Sequence, residues 1–253
     1  MRFGVCFHVN DAAEMAAMGY DYLEVHAGNI AAMSEEEFEA FCAENAAAPI
    51  HAETANCLFP GTIRLTGEEA DMEVVKDYAE KVMSRLSKAG IKVVVFGSGG
   101  SRRIPEGFSR EQAWQQLIEV GKILGAAAEK YGVTVALEPL RSEESNVITK
   151  QSEGLKLVQD VDHPHFKLLC DYYHHMQEGG TMADVEACAG QLVHIHIAEP
   201  KARVPMRPDD GADYAGFFAA LRKIGYDGRI SFEGSAGDRE KTLPIALEVL
   251  KNA

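Results

Sequence analysis

The stretch Glu129–Leu140, EKYGVTVALEPL, contains one unit of the pattern that decides the fold. A helix-like segment ends at Gly132, where glycine readily supplies the left-handed C-cap of a helix. The run Val133–Glu138 follows, and its β-branched residues suit a buried, pleated surface. This unit therefore predicts a helix followed by a buried strand with a carboxylate, Glu138, at its carboxyl end.

The same unit occurs eight times along the chain. The predicted strands are Arg2–His8, Asp21–Val25, Pro49–Glu53, Ile91–Phe96, Val133–Glu138, Phe166–Asp171, Leu192–Ile197 and Gly228–Glu233. Regular alternation of strands and helices predicts parallel pairing with right-handed crossovers. Eight units in 253 residues favour an α/β fold, namely a single (β/α)8 barrel over residues 1–253. In such a barrel the active site is expected at the carboxyl ends of the strands.

An open nucleotide-binding sheet is disfavoured by the absence of a glycine-rich phosphate turn after the first strand. The stretch FGSGGSRR at 96–103 follows a strand, but no Walker lysine follows it. We therefore predict a loop at the barrel mouth there and no phosphate loop.

Charge and composition limit the classes of partner. The formal net charge of −14 opposes nucleic-acid binding, which depends on Lys and Arg neutralising phosphates. No apolar stretch is long enough to span a bilayer, and the first residues lack the apolar core of a secretory signal, so we expect a cytoplasmic protein without a membrane partner. The five cysteines form no C-x-x-C motif and suggest neither a disulfide framework nor a zinc knuckle.

Metal-ligand types collect at the ends of the last four predicted strands. These candidates are Glu138, Asp171, His196 and Glu233. One acid at a strand end is ordinary, but three converging carboxylates would raise each other's pKa unless a cation compensated them, which predicts a bound metal. Three carboxylates and one imidazole suit Mn²⁺ best, with Mg²⁺, Co²⁺ or Zn²⁺ as alternatives.

The seventh predicted strand carries two histidines, His194 and His196, in LVHIHI. Alternation along a strand predicts that both face the barrel axis. His196 lies nearer the carboxyl rim and is the predicted metal ligand. His194, one layer deeper, is expected to be an interior or supporting histidine.

The series Glu138, Asp171-x-x-His174, His-x-His196 and Glu233 resembles the xylose isomerase-like barrel superfamily, in its sugar phosphate isomerase/epimerase branch and near the ketose 3-epimerases that act on D-tagatose and D-psicose. The resemblance covers the whole chain in topology, and its specific motifs lie in the second half. It implies that Glu138, Asp171, His196 and Glu233 bind a divalent metal. It also implies that Glu138 and Glu233 exchange protons with the substrate.

The resemblance further implies substrate contacts for Glu144 and His174. The epimerases also carry an arginine shortly after the histidine of strand seven. Arg203 stands one residue late for this role, and Arg207 is the alternative. His175 has no counterpart and is expected to be a loop or supporting residue.

The function that the resemblance implies is a metal-dependent ketose 3-epimerase acting on a small sugar or keto-sugar through an enediolate. Three alternatives stay open: an aldose–ketose or hydroxypyruvate isomerase, a dehydratase or lyase acting on a keto-inositol or 3-keto glycoside, and a barrel that only binds sugar. The superfamily's repair endonucleases hold further metals with extra histidines, and none lies near Asp209, Asp210 or Asp213. Barrels of this group often associate, so a homo-oligomer also stays open.

Overall fold

The computed structural model describes residues 1–253, and its eight parallel strands pair in chain order. The strands are β1 Arg2–Cys6, β2 Tyr22–His26, β3 Ala52–Asn56, β4 Val93–Phe96, β5 Thr134–Leu137, β6 Phe166–Asp171, β7 Leu192–Ile197 and β8 Arg229–Phe232. β1 also pairs with β8, so the sheet closes on itself. The predicted (β/α)8 barrel is confirmed.

Helices connect successive strands and cover the outside of the barrel. They are α1 Ala12–Met18, α2 Ala27–Ala32, α3 Glu35–Ala47, α4 Met72–Lys88, α5 Gly99–Arg102, α6 Arg110–Tyr131, α7 Gln151–Val161, α8 Tyr172–Gln177, α9 Met182–Glu186, α10 Tyr214–Lys223 and α11 Arg239–Asn252. Local sequence sets their ends: Ser34 and Glu37 form a capping box at the start of α3, and Gly132 ends α6 in the left-handed conformation. No helix combines the length and the apolar character needed to cross a membrane.

The main apolar core lies between the strands and the surrounding helices. Strand residues such as Val94, Leu137 and Ile195 are completely buried there and pack against apolar faces of the helices. The barrel axis, in contrast, receives polar side chains from β2, β3, β7 and β8, among them Glu24, Thr54 and His194. The protein therefore has an outer apolar layer and a polar interior beneath the mouth.

The strand bounds differ from the sequence prediction mainly at β3. β6 and β7 begin and end as predicted, whereas β3 begins three residues after the predicted Pro49, at Ala52. Residues 48–50 form bends, because proline cannot donate to the ladder, and the register with β2 shifts between Leu23 and Glu24. The later start places Asn56 at the rim. Glu138 and Glu233 lie one residue beyond β5 and β8.

Candidate active site

The four predicted metal ligands meet at the carboxyl rim. One ligand atom from each of Glu138, Asp171, His196 and Glu233 lies within 4.8 Å of the others. Nδ1 of His196 is 3.1 Å from Oε1 of Glu138 and 3.0 Å from Oε2 of Glu233. The strands β5 to β8 are neighbours in the barrel, so side chains at their carboxyl ends form one cluster although they are far apart in sequence.

Asp171 divides its two oxygens between the fold and the site. The strand register pairs Asp171 with His196 across β6 and β7. Its Oδ1 accepts a hydrogen bond from the backbone N–H of Tyr173 and so caps α8. This bond fixes the side chain, and Oδ2 remains directed toward the mouth.

The loop after β4 shapes the surroundings of Glu138. A Cβ at Gly97 would overlap with Oε2 of Glu138, so a larger residue there would displace this carboxylate from its observed position. Arg102, which is fully buried, donates to the carbonyl of Glu138 at 2.7 Å and to that of Phe96 at 3.2 Å. The predicted mouth loop at 96–103 therefore includes the short helix α5, and its Arg102 holds the backbone at Glu138 in place.

Arg203 lies among the carboxylates. Its Nη2 is 2.5 Å from Oε2 of Glu233 and 3.3 Å from Oδ2 of Asp171, and its guanidinium stacks over the ring of Tyr173 at 5.0 Å. The residue has a left-handed backbone with φ of 54°, which is uncommon for a residue other than glycine. Arg207, in contrast, is exposed and pairs only with Asp209. Of the two candidate arginines, Arg203 alone reaches the cluster.

His174 and Glu144 flank the cluster on the side of β5 and β6. Nδ1 of His174 accepts the backbone N–H of Arg141 at 3.4 Å, which places the hydrogen of a neutral ring on Nε2. That Nε2 is buried, has no hydrogen-bond partner and lies 3.9 Å from Glu144. An unpaired buried donor is costly, so its place beside the cluster points to a ligand oxygen that it would bind.

His175 points away from the cluster. Its Nε2 contacts the carbonyl of Thr181 at 2.9 Å, and its ring packs against Gly180. His175 therefore lies in α8 and not in a loop, and its contacts support the segment that follows this helix.

Sequence reasoning missed two polar residues of the first half. Glu24, on β2, lies within hydrogen-bond distance of both His194 and His196, at 2.7 and 2.8 Å. Asn56 donates from Nδ2 to Oε1 of Glu233 at 3.0 Å. An acid between Leu23 and Val25 in a buried strand was the available sequence signal for Glu24. No sequence signal pointed to Asn56, because it lies beyond the third strand as predicted, which ends at Glu53.

Charges at the site shift the pKa values of its members. Burial alone would lower the pKa of His196, but the negative charges of Glu233 and Glu24 raise it well above the ordinary value. Burial would raise the pKa of Glu233, yet His196 and Arg203 hold it below its ordinary value. His196 and Arg203 thus compensate part of the negative charge of the carboxylates.

The donor set fits a divalent cation. Three carboxylates and one imidazole supply hard oxygen ligands with one nitrogen, and their four atoms are close enough to share one ion. The unpaired Nε2 of His174 lies beside this set, 3.5 Å from Oδ2 of Asp171, where a substrate oxygen could complete the site. The four side chains form a candidate metal site.

Curated relatives are named sugar epimerases and isomerases. The chain is 30% identical to L-ribulose 3-epimerase of Methylomonas sp. over 156 residues, which are 57% of this chain and 54% of the relative. It is 30% identical to 2-oxo-tetronate isomerase of Haemophilus influenzae over 179 residues, 68% of this chain and 66% of the relative. The matched part therefore spans about half to two thirds of these relatives.

The comparison of folds and the family model cover more of the chain. A D-psicose 3-epimerase from Clostridium cellulolyticum, solved with D-tagatose, superposes with a TM-score of 0.86 at 20% identity, over 100% of this chain and 99% of that chain. At that identity the likeness establishes the fold alone. The model of the xylose isomerase-like TIM barrel family matches residues 12–253. The chain belongs to the xylose isomerase-like TIM barrel family.

Proposed function

We propose that this protein is a divalent-metal-dependent sugar epimerase or isomerase, with a ketose 3-epimerase as the first candidate. The observation that carries the proposal is the convergence of three carboxylates and His196 from four successive strands within 4.8 Å. The names of the relatives support the sugar class. Mn²⁺ is the proposed cation, because the donor set is mostly carboxylate oxygen.

The bound cation would polarise the substrate carbonyl, so that the neighbouring C–H becomes acidic enough for a carboxylate to remove its proton. Glu138 and Glu233 follow the non-adjacent strands β5 and β8, and their carboxylates lie 3.1 and 3.0 Å from Nδ1 of His196. One carboxylate takes the proton, and the C–H electron pair moves into the carbonyl to give an enediolate. The other, present as the acid, returns a proton to the opposite face and inverts the carbon.

Three further side chains would hold the substrate. The N–H at Nε2 of His174 has no protein acceptor and is available to a sugar hydroxyl or carbonyl oxygen. Glu144 is held in place by Nε of Arg141 at 2.7 Å, and it can accept from a hydroxyl near the carbonyl end of the sugar. Arg203 can donate to a substrate oxygen on the side of Glu233.

The first prediction concerns the two bases. We expect Glu138→Gln and Glu233→Gln each to lower the rate of epimerisation by about 10²- to 10⁴-fold, because each removes one proton-transfer group. NMR in D₂O on a panel of free ketoses would measure deuterium entering the substrate, with Mn²⁺ brought to saturation by titration for each variant. The exposed Asp209 supplies the control, since Asp209→Asn should leave the rate unchanged.

The outcome also separates epimerase from isomerase. A 3-epimerase exchanges the hydrogen at C3 and returns a ketose, whereas an aldose–ketose isomerase removes a hydrogen from C1 of the ketose and places deuterium at C2 of the aldose that it produces. The similarity to 2-oxo-tetronate isomerase over 68% of the chain makes the isomerase the second candidate. Deuterium exchange that persists in both glutamine variants would exclude the two-base scheme.

A further inference from the structure

Glu24 is enclosed at the barrel axis directly beneath the candidate metal site. It is 1% exposed and receives hydrogen bonds from four side chains. Its Oε2 accepts from Thr54 at 2.8 Å, from Ser231 at 2.6 Å and from His194 at 2.7 Å, and its Oε1 lies 2.8 Å from Nε2 of His196. Such a carboxylate accepts hydrogen bonds and donates none.

Because Glu24 only accepts, both facing imidazole nitrogens must carry hydrogen. For His194 the unpaired state of Nδ1 agrees: this buried atom has no partner, and an unused acceptor there costs less than an unused N–H. For His196 the hydrogen on Nε2 leaves Nδ1 free of hydrogen whenever the ring is neutral. Nδ1 is the atom that lies about 3 Å from Glu138 and Glu233.

We infer that Glu24 is a positioning residue that accepts the Nε2–H of His196 and thereby presents the Nδ1 lone pair of that histidine to the metal. The inference rests on the metal site of the proposed function. It assigns the ligand atom of His196 and gives a role to a buried acid on β2, a strand that contributes none of the four ligands. A carboxylate behind a ligating histidine fixes both its tautomer and its orientation.

The change Glu24→Gln tests this role with almost no change of shape. The introduced amide offers one acceptor and one donor, whereas the two histidines together need two acceptors. If the amide nitrogen faces His196, that ring must move its hydrogen to Nδ1 and cannot bind the metal. If it faces His194 instead, that ring must place its hydrogen on Nδ1, which has no acceptor.

Removing the second histidine should relieve this conflict. In the double variant Glu24→Gln/His194→Phe, the amide nitrogen can face the hydroxyls of Thr54 and Ser231, which are able to accept, and the amide oxygen can face His196. We therefore expect Glu24→Gln to weaken Mn²⁺ binding by about 10- to 100-fold. The double variant should recover to within about threefold of the original chain, and His194→Phe alone should stay within about threefold, since an oxygen of the side chain at position 24 still accepts from His196 in both, the amide oxygen in the double variant and the carboxylate in His194→Phe.

The experiment measures metal affinity and tautomer on the full chain. Isothermal titration with Mn²⁺ gives the affinity of each variant, and thermal melting of each metal-free variant confirms that it folds. ¹⁵N NMR of histidine in the Zn²⁺-loaded original chain identifies the ring nitrogen that binds the ion. The expected result is Zn²⁺ on Nδ1 of His196 with a protonated Nε2, a readout independent of enzyme activity.

The outcomes separate this inference from the proposed function. Zn²⁺ on Nε2 of His196, or equal Mn²⁺ affinity in Glu24→Gln and the original chain, overturns the role of Glu24 and leaves the metal site standing. Failure of the original chain to bind any divalent cation overturns the proposed function itself. Loss of affinity in His194→Phe equal to that in Glu24→Gln would assign the effect to general packing at the axis and also overturn the inference.

Discussion

Arg102 shows how a single buried polar residue can hold several loops together. Its guanidinium is completely enclosed and donates to the carbonyl of Phe96 at the end of β4 and to those of Glu138 and Ile148 in the segment between β5 and α7. Burial lowers the pKa of Arg102 to about 10, so the group stays charged at neutral pH. Charged donors form stronger hydrogen bonds than neutral ones. The carbonyls of Phe96 and Ile148 also accept backbone N–H groups, whereas the carbonyl of Glu138 depends on Arg102.

We predict that Arg102→Met lowers the free energy of unfolding by about 1–3 kcal/mol, because it leaves the carbonyl of Glu138 without a donor. Urea denaturation followed by circular dichroism measures the change. Arg207→Met is the matched control, since that arginine is exposed and its single pair with Asp209 should contribute less than about 1 kcal/mol. Equal losses in the two variants would contradict the role given to Arg102.

At the scale of the element, the loop after β4 determines where the Glu138 carboxylate can lie. The close approach between this carboxylate and Gly97 leaves no space for a side chain. Gly100, three residues later in the same loop, has open space where its Cβ would be. The two glycines therefore form a matched pair for testing whether the loop positions the acid.

We expect Gly97→Ala to lower the turnover rate by about 100-fold, because the added methyl group displaces Glu138 by the order of an ångström. Gly100→Ala should leave the rate unchanged. Steady-state kinetics on the ketose identified by the exchange screen measures both, and thermal melting checks that each variant folds. Unchanged turnover in Gly97→Ala would indicate that the loop moves aside without affecting the acid.

The elements also show how far the sequence could predict the structure. β6 and β7 were predicted to the residue because their apolar runs are flanked by turn-forming residues and end in recognisable ligands. β3 was misplaced because Pro49 and Ile50 looked strand-like although the chain bends there, and this hid Asn56. An acid between Leu23 and Val25 was a local signal for a buried Glu24, but its contact with His194 and His196 depends on strand register and barrel closure, which a local pattern does not reveal.

At the scale of the whole molecule, the candidate metal site concentrates negative charge in an already acidic protein of net charge −14. Arg203 and His196 compensate only part of this charge within the mouth. A cation that binds only the folded state should therefore stabilise the whole barrel, by about 2.7 kcal/mol when its free concentration is 100 times its Kd.

For a chain of this length we predict a rise in Tm of about 5–10 °C on adding Mn²⁺ at that concentration, reversed by EDTA. Differential scanning calorimetry measures the shift. Asp171→Asn should abolish most of it, because one ligand loses its charge, whereas Glu68→Gln/Glu69→Gln, a change at exposed acids, should retain it. An equal rise in both variants would assign the effect to nonspecific binding of Mn²⁺ to surface carboxylates.

The candidate ligands lie on one half of the barrel, and this has a consequence for which segments of the chain can change. All four candidate ligands follow or end the strands β5 to β8, while β2 and β3 supply only the supporting Glu24 and Asn56. The segments after β2 and β3 supply none of the four ligands, and we expect them to tolerate changes in length and sequence better than the loop after β4, which positions Glu138. If the proposed function holds, exchanging the segment 27–33, which contains α2, and the segment 57–71 between relatives is the direct route to altered substrate selectivity.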